Sequence, residues 1–182
     1  MGDDEVLVDR CRNRDPLAFA ALVNRYQRPI FNAAYRVLGN SDDAAEVAQI
    51  VFLRVLERLE DYDSRYKFFS WIYRIAINES IDLLRRSGRE EPLDNDVDFV
   101  DKASAGPEQQ YQDRQQSQRI QRALMGMSVD HRVVLTLRHF AELSYREIAD
   151  VVGADEQIVK SRIFEARKRM GELLADLRPL LT

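Results

Sequence analysis

Cysteine is nearly missing. Cys11 stands alone among 182 residues, which excludes an internal disulfide framework. Histidine is scarce as well, and His131 and His139 lie too far from Cys11 in sequence to suggest a structural zinc site. Only 7 glycines and 5 prolines punctuate the chain, and alternating β-branched runs are few, which argues against a β-rich fold. Glycine clusters that could cradle phosphates are absent. The two histidines fall on one expected helix with no nucleophile nearby, so an enzyme is a distant reading. No apolar run approaches the roughly 20 residues of a membrane span. Met1 to Arg14 is polar and acidic and lacks a signal-peptide-like apolar stretch, so a cytoplasmic protein with no membrane insertion of its own is expected. No metal or cofactor is expected.

What the chain does have is unevenly spread charge. The formal net charge of -4 hides two basic islands. Residues 1–64 hold 8 basic against 12 acidic side chains, and residues 65–89 hold 6 against 2. Residues 90–118 reverse this with 2 against 8, and residues 119–182 hold 11 against 9. Basic islands separated by an acidic strip can touch phosphates locally while the whole remains acidic.

Helical patterns fill both islands. Asp15-Pro16 reads as an N-cap and first helical residue, opening a helix that runs to Leu38 and stops at Gly39. Asp43 and Glu46 resemble a capping pair opening a second helix to about Glu60. A third runs from about Phe68 to Ser87 and ends at Gly88. Periodicity returns from Glu108 to about Met125 and from Asp130 to Ala141. The expected fold is all-α. Two small helical domains, 1–88 and 119–182, are joined by an acidic linker, 89–118.

The C-terminal part holds the most specific pattern. Ser144 and Glu147 form a capping box, Gly153 ends that helix, and another starts near Glu156. Ala149, Gly153 and Val159 then meet the needs of a helix-turn-helix: close helix crossing, a turn residue with positive φ, and a branched core residue. On the second helix Val159, Ile163, Ala166 and Met170 share one side. Gln157, Ser161, Phe164, Glu165 and Lys168 share the other, flanked by Lys160 with Arg167 and by Arg162 with Arg169. Short readers between phosphate clamps suit a recognition helix, with Phe164 placed to cover a thymine methyl. The plainer alternative is a solvated helix with Phe164 buried against a neighbour.

In the third helix Trp71, Arg74, Asn78, Asp82 and Arg85 fall on one face. An indole beside arginine and asparagine suits stacking of unpaired bases and hydrogen bonding to their edges. Arg65, Lys67, Arg85, Arg86 and Arg89 would supply phosphate contacts. The alternative makes Phe68, Phe69 and Trp71 core plugs under the Asp61–Lys67 loop. On the second helix Glu46, Gln49, Ile50, Leu53, Glu57 and Glu60 oppose the core face, and Ile50 with Leu53 resembles a protein-binding patch with a polar rim. Otherwise the Val6–Val8 segment covers it.

These motifs together resemble a family. Glu46-Val-Ala-Gln-Ile-Val-Phe-Leu53, Phe69-Ser-Trp-Ile-Tyr-Arg-Ile-Ala-Ile-Asn78 and Leu83-Leu-Arg-Arg86 are similar to region 2 of the extracytoplasmic-function sigma factors of bacterial RNA polymerase. Leu143-Ser-Tyr-Arg-Glu-Ile-Ala149, Val159-Lys-Ser-Arg-Ile-Phe164 and Ala166-Arg-Lys168 are similar to their region 4. The resemblance implies a transcription initiation factor, not an enzyme, that binds core RNA polymerase through its β′ and β subunits and directs it to promoter DNA. It implies core contacts by Glu46, Gln49, Ile50, Leu53 and Glu57. It implies opening and reading of the minus-ten element by Lys67, Phe68, Ser70, Trp71, Arg74, Asn78 and Arg85. The minus-thirty-five element would fall to the helix-turn-helix, with Tyr145, Gln157, Lys160, Ser161, Arg162, Phe164, Glu165, Arg167 and Lys168. An anti-sigma factor is a further implied partner. The chain departs from the usual pattern at Ile50 and Glu165, where acid and base respectively are more common, and at Asp155-Glu-Gln-Ile158. The rival reading, a helix-turn-helix regulator that acts without polymerase, accounts for residues 119–182 but not for the Trp71 stripe.

Overall fold

Asp15 opens the longest helix by accepting hydrogen bonds from the Leu17 and Ala18 amides, with Pro16 behind it at a position where its missing N–H costs nothing. That helix, Pro16–Leu38, ends on Gly39, whose φ of 73° lets its amide reach back to the Tyr35 carbonyl. It is the second of eight α-helices in the computed structural model, which describes residues 3–88 and 107–176. In chain order they are α1 (Asp3–Arg12), α2 (Pro16–Leu38), α3 (Ser41–Arg58), α4 (Phe68–Ser87), α5 (Pro107–Met125), α6 (Val129–His139), α7 (Tyr145–Val152) and α8 (Glu156–Asp176). A single 3-10 turn, Leu59–Asp61, follows α3, and no strand occurs among the described residues.

Two elements differ from the sequence reading. Helix α1 was not anticipated, and its Val8 is buried against the N-terminal bundle. Helix α3 starts at Ser41, because Asn40 caps it first: its side-chain oxygen accepts from the amides of Asp42 at 2.8 Å and Asp43 at 3.0 Å. The Asp43–Glu46 pair therefore lies inside the helix rather than at its start. Of the stretch expected as an acidic linker, residues 89–106 lie outside the described residues, and residues 107–118 belong to α5.

Helices α2, α3 and α4 enclose Leu22, Ile30, Val51, Val55, Ile72 and Ile77. Full burial of such side chains contributes about 1.5–3 kcal/mol each. A second set, Leu124, Leu137, Leu143, Ile148, Val159 and Ile163, is enclosed by α5 to α8. The two sets join into one hydrophobic cluster, with α6 against α2 and α7 against α4.

Polar groups fasten this junction. Arg132 of α6 is 2% exposed, and its guanidinium donates to the Val37 carbonyl at 2.6 Å and the Met127 carbonyl at 3.1 Å. Burial lowers its pKa, as expected for a cation withdrawn from water. Gln121 of α5 donates to the Tyr35 carbonyl at 3.1 Å. Both donors thus satisfy carbonyls in the last turn of α2, where the helix dipole favours positive charge. Arg36 lies over the Phe140 ring, 3.4 Å from its centroid.

Candidate nucleic-acid interface

Three surfaces carry the residues singled out by the sequence. The first is α4. Arg74, Asn78 and Arg85 are exposed along one side of the helix, and Lys67 is exposed just ahead of it. Trp71 is half-buried. Its ring lies 5.3 Å from Tyr62 and 5.7 Å from Phe68, so one part rests on the bundle and the remainder borders the exposed stripe. Such an indole is held in place before any ligand arrives, which lowers the entropy cost of stacking on it.

Phe68 and Ser70 are corrections to the expected readers. Phe68 is 2% exposed, wedged edge-on between Tyr26 and Tyr62, and cannot reach a base without unpacking the bundle. The first residue of the helix faces inward because the 3-10 turn and Tyr62 bring the chain in from the core side. Ser70 is 5% exposed, with its hydroxyl also turned inward. Of the aromatic run at the start of α4, Phe68 is thus a core plug as in the plainer alternative, while Trp71 occupies the boundary.

Sequence reasoning missed what supports that boundary. Arg12 of α1 donates to the Leu59 carbonyl at 3.4 Å and the Tyr62 carbonyl at 2.6 Å. The Tyr62 hydroxyl donates to the Tyr66 carbonyl at 2.5 Å. Asp63 accepts from Arg65 at 2.8 and 2.6 Å, and this hydrogen bonding holds the Asp63 carboxyl below its ordinary pKa. The loop before α4 is therefore braced from α1. A cluster of arginines and acids in residues 9–15 was the available signal, but side-chain to backbone contacts over fifty positions leave no periodic trace.

The second surface is the helix-turn-helix of α7 and α8. The Ser144–Glu147 capping box is formed in both directions, and Gly153 takes φ 66° in the turn. Val159, Ile163 and Ala166 are buried, whereas Gln157, Ser161, Glu165 and Lys168 are exposed and Phe164 is 73% exposed. Tyr145 is half-buried, with the Lys160 ammonium 5.9 Å from its ring. Internal partners are close to several charges. Lys160 meets Glu156 at 2.8 Å, Arg162 meets Asp130 at 3.5 Å, and Glu165 meets His131 at 3.7 Å. Arg167 lies 3.3 Å from His139. Exposed pairs of this kind contribute little, so they yield readily to phosphates.

The third surface is the outer side of α2 and α3. Glu46, Gln49 and Glu57 are exposed, Leu53 is 58% exposed and Ile50 is half-buried. Leu53 and Gln49 border a groove of about 760 Å³ floored by Phe19, Val23, Phe31 and Phe52. Helix α1 packs on α2 and on the 3-10 turn, so the Val6–Val8 segment does not account for Leu53, which stays exposed.

Among the described residues no group of three or more histidine, cysteine or carboxylate side chains is arranged to hold a metal, and no helix is long and apolar enough to cross a membrane.

The described chain is thus an N-terminal helical bundle with an aromatic-basic stripe, followed by a helix-turn-helix, the architecture of a nucleic-acid-binding protein. Residues 22–90 match the family described as Sigma-70 region 2, and residues 117–170 match that described as Sigma-70, region 4. The chain is 30% identical over 179 residues to the ECF RNA polymerase sigma factor SigW of Bacillus subtilis (strain 168), covering 93% of this chain and 96% of the relative. It also resembles the solved structure of CnrH in complex with the cytosolic domain of CnrY, with a TM-score of 0.74, 25% identity, and 96% and 98% of the two chains covered. The sigma factor RpoE in complex with the anti-sigma factor NepR from Bartonella quintana shares the fold at TM-score 0.72 and 20% identity, with 88% and 98% covered. The protein belongs to the ECF RNA polymerase sigma factors of the sigma-70 family. Its function is accordingly to direct RNA polymerase to promoters, without bond chemistry of its own.

Proposed function

We propose that the three surfaces divide this work. The α3 face with its apolar groove docks on core polymerase, with Leu53 as the hydrophobic contact and Glu46, Gln49 and Glu57 as its polar rim. Trp71, Arg74, Asn78, Lys67 and Arg85 read and hold the minus-ten strand. The exposed face of α8, Gln157, Ser161, Phe164 and Lys168 with the flanking bases, reads the minus-thirty-five duplex. The protein works with polymerase in the cytoplasm. An anti-sigma partner is part of the proposal, supported by the complex in which the similarly folded RpoE is held.

The observation that carries the reading is Trp71. It is an aromatic ring braced by Tyr62 and Phe68 at the edge of a row of exposed cationic and amide side chains. A duplex reader has no need of such a surface, whereas a single-strand reader does. Separating strands costs roughly 1.4 kcal/mol per step, and each stacked base returns about 1–3 kcal/mol. Capture of one or two bases cannot open a bubble alone, so core polymerase supplies the remainder. Run-off transcription with purified bacterial core polymerase and a promoter library tests the reading. Promoter-specific transcripts that require this chain support it. Tight duplex binding without polymerase, and no transcripts with it, would return the chain to the rival class of free-standing regulators.

A further inference from the structure

Helix α1 lies ahead of the region-2 match, which begins at residue 22 inside α2, so the family assignment does not extend to it. The fold nevertheless fixes this helix along its whole length. At its start Asp4 accepts hydrogen bonds from the Tyr26 hydroxyl and the Arg25 guanidinium of α2. In its middle Val8 is 1% exposed. At its end Arg10 donates to Asp15 at 2.9 Å, and Arg14 turns the corner with φ 60°, a left-handed value that residues with a Cβ seldom adopt. A helix that only covered apolar surface would need Val8 and little else.

What these fixings deliver is Arg12. Its guanidinium leaves α1 and enters the loop before α4. There it donates to the Leu59 carbonyl at 3.4 Å and the Tyr62 carbonyl at 2.6 Å, with its carbon 5.8 Å from the centroid of the Tyr62 ring. A planar fork suits this place better than an ammonium, since it engages two carbonyls and a ring face at once. Tyr62 is thereby held at three points. Its carbonyl is on Arg12, its hydroxyl donates to the Tyr66 carbonyl at 2.5 Å, and its buried ring packs 5.5 Å from Phe68 and 5.3 Å from Trp71. Tyr62 is the wall shared by the loop and the indole.

We infer that Arg12 is a positioning residue of the minus-ten reader: by fixing Tyr62 it fixes the wall on which the Trp71 indole rests, and so sets how tightly a separated strand is gripped, a role that presupposes α4 as the strand reader. Arg12 itself touches no DNA in this role. Without its fork the Leu59 and Tyr62 carbonyls turn to water and the loop enters α4 at more than one angle. The indole then samples orientations that stacking has to freeze out, and that ordering lowers affinity at each captured base.

The test uses the full-length chain assembled with core polymerase, and a forked promoter whose minus-ten non-template strand is single. Arg12→Gln should weaken fork binding about three- to tenfold, less than Trp71→Ala does. Arg12→Lys keeps one charged donor and should recover part of the loss. Affinity for a minus-thirty-five duplex should not change. In the DNA-free chain, with 5-fluorotryptophan at Trp71, Arg12→Gln should shift or broaden the single fluorine resonance. In a Trp71→Ala background Arg12→Gln should cause no further loss, because it acts through that ring. Val8→Ala is the stability control. It loosens the packing of α1 without removing a contact of Arg12, so it should leave fork affinity unchanged at a stability loss matched in urea.

An unmoved resonance in Arg12→Gln, or an equal loss of fork affinity in Val8→Ala, would reduce Arg12 to a structural tie and overturn the positioning role. Full fork affinity in Arg12→Gln beside a weakened Trp71→Ala would overturn that role alone. Full fork affinity in Trp71→Ala would overturn the α4 assignment, and the role of Arg12 with it.

Discussion

Trp71 is the single tryptophan of the chain, so one side chain carries both the proposed chemistry and the spectroscopic signal. Replacing it by alanine removes two ring contacts within the bundle, with Tyr62 and Phe68 at 5.3 and 5.7 Å. Aromatic pairs contribute about 0.5–1.5 kcal/mol each beyond area, so the two ring contacts alone amount to about 1–3 kcal/mol of fold stability, to which the loss of partly buried area adds. A marginally stable domain survives that loss. Strand capture loses a further stacking contribution of about 1–3 kcal/mol per base, or roughly 5- to 150-fold in affinity. Trp71→Phe keeps an aromatic face for both neighbours and base, and urea unfolding of each variant measures the stability share apart from strand capture. In permanganate footprinting with holoenzyme, Trp71→Ala should weaken the reactive bubble while minus-thirty-five protection persists, and Trp71→Phe should recover most of it. With 5-fluorotryptophan at this one position, bubble formation should shift the fluorine resonance. An unchanged bubble in Trp71→Ala, or an unmoved resonance in the open complex, would show that the indole belongs to the bundle alone.

Glu165→Arg removes a carboxylate from the exposed side of α8, where it lies 3.7 Å from His131, and adds a cation facing DNA. Non-specific affinity should rise and the slope of log K against log salt should steepen by about 1–2, as a salt titration would measure. Ile163→Ala, at 1% exposure on the buried face of α8, should cost about 2–5 kcal/mol and lower the thermal midpoint in calorimetry. Asp15→Ala removes the acceptor for the Leu17 and Ala18 amides and should cost about 1 kcal/mol in urea unfolding. Glu147 titrates below its ordinary value: partial burial opposes ionisation, but the hydrogen bonds from Lys67 and Ser144 outweigh it. A carboxyl with a depressed folded pKa stabilises above its unfolded value and loses that contribution as pH falls through the folded one. The stability this carboxylate contributes should therefore be lost only well into the acid range, below pH 4.5, and Glu147→Gln should flatten that limb of the thermal midpoint against pH.

Helix type and most ends were legible because they are written in short-range chemistry. Asp15 and Pro16 start α2, Gly39 and Gly88 end α2 and α4 in the left-handed region, and Ser144 with Glu147 opens α7. The exposed face of α8 followed from period alone, since Val159, Ile163 and Ala166 have one side to bury and Phe164 falls on the other. The start of α3 was missed where two caps competed and Asn40 won. Phe68 was missed for a different reason. At the first turn of a helix the face that turns inward depends on how the incoming loop is braced, and that brace is Arg12 on a helix some fifty positions away. The junction between the halves left no sequence signal. Arg132 reads as one more surface base in a charged helix, and only the carbonyls of Val37 and Met127 make it a buried donor.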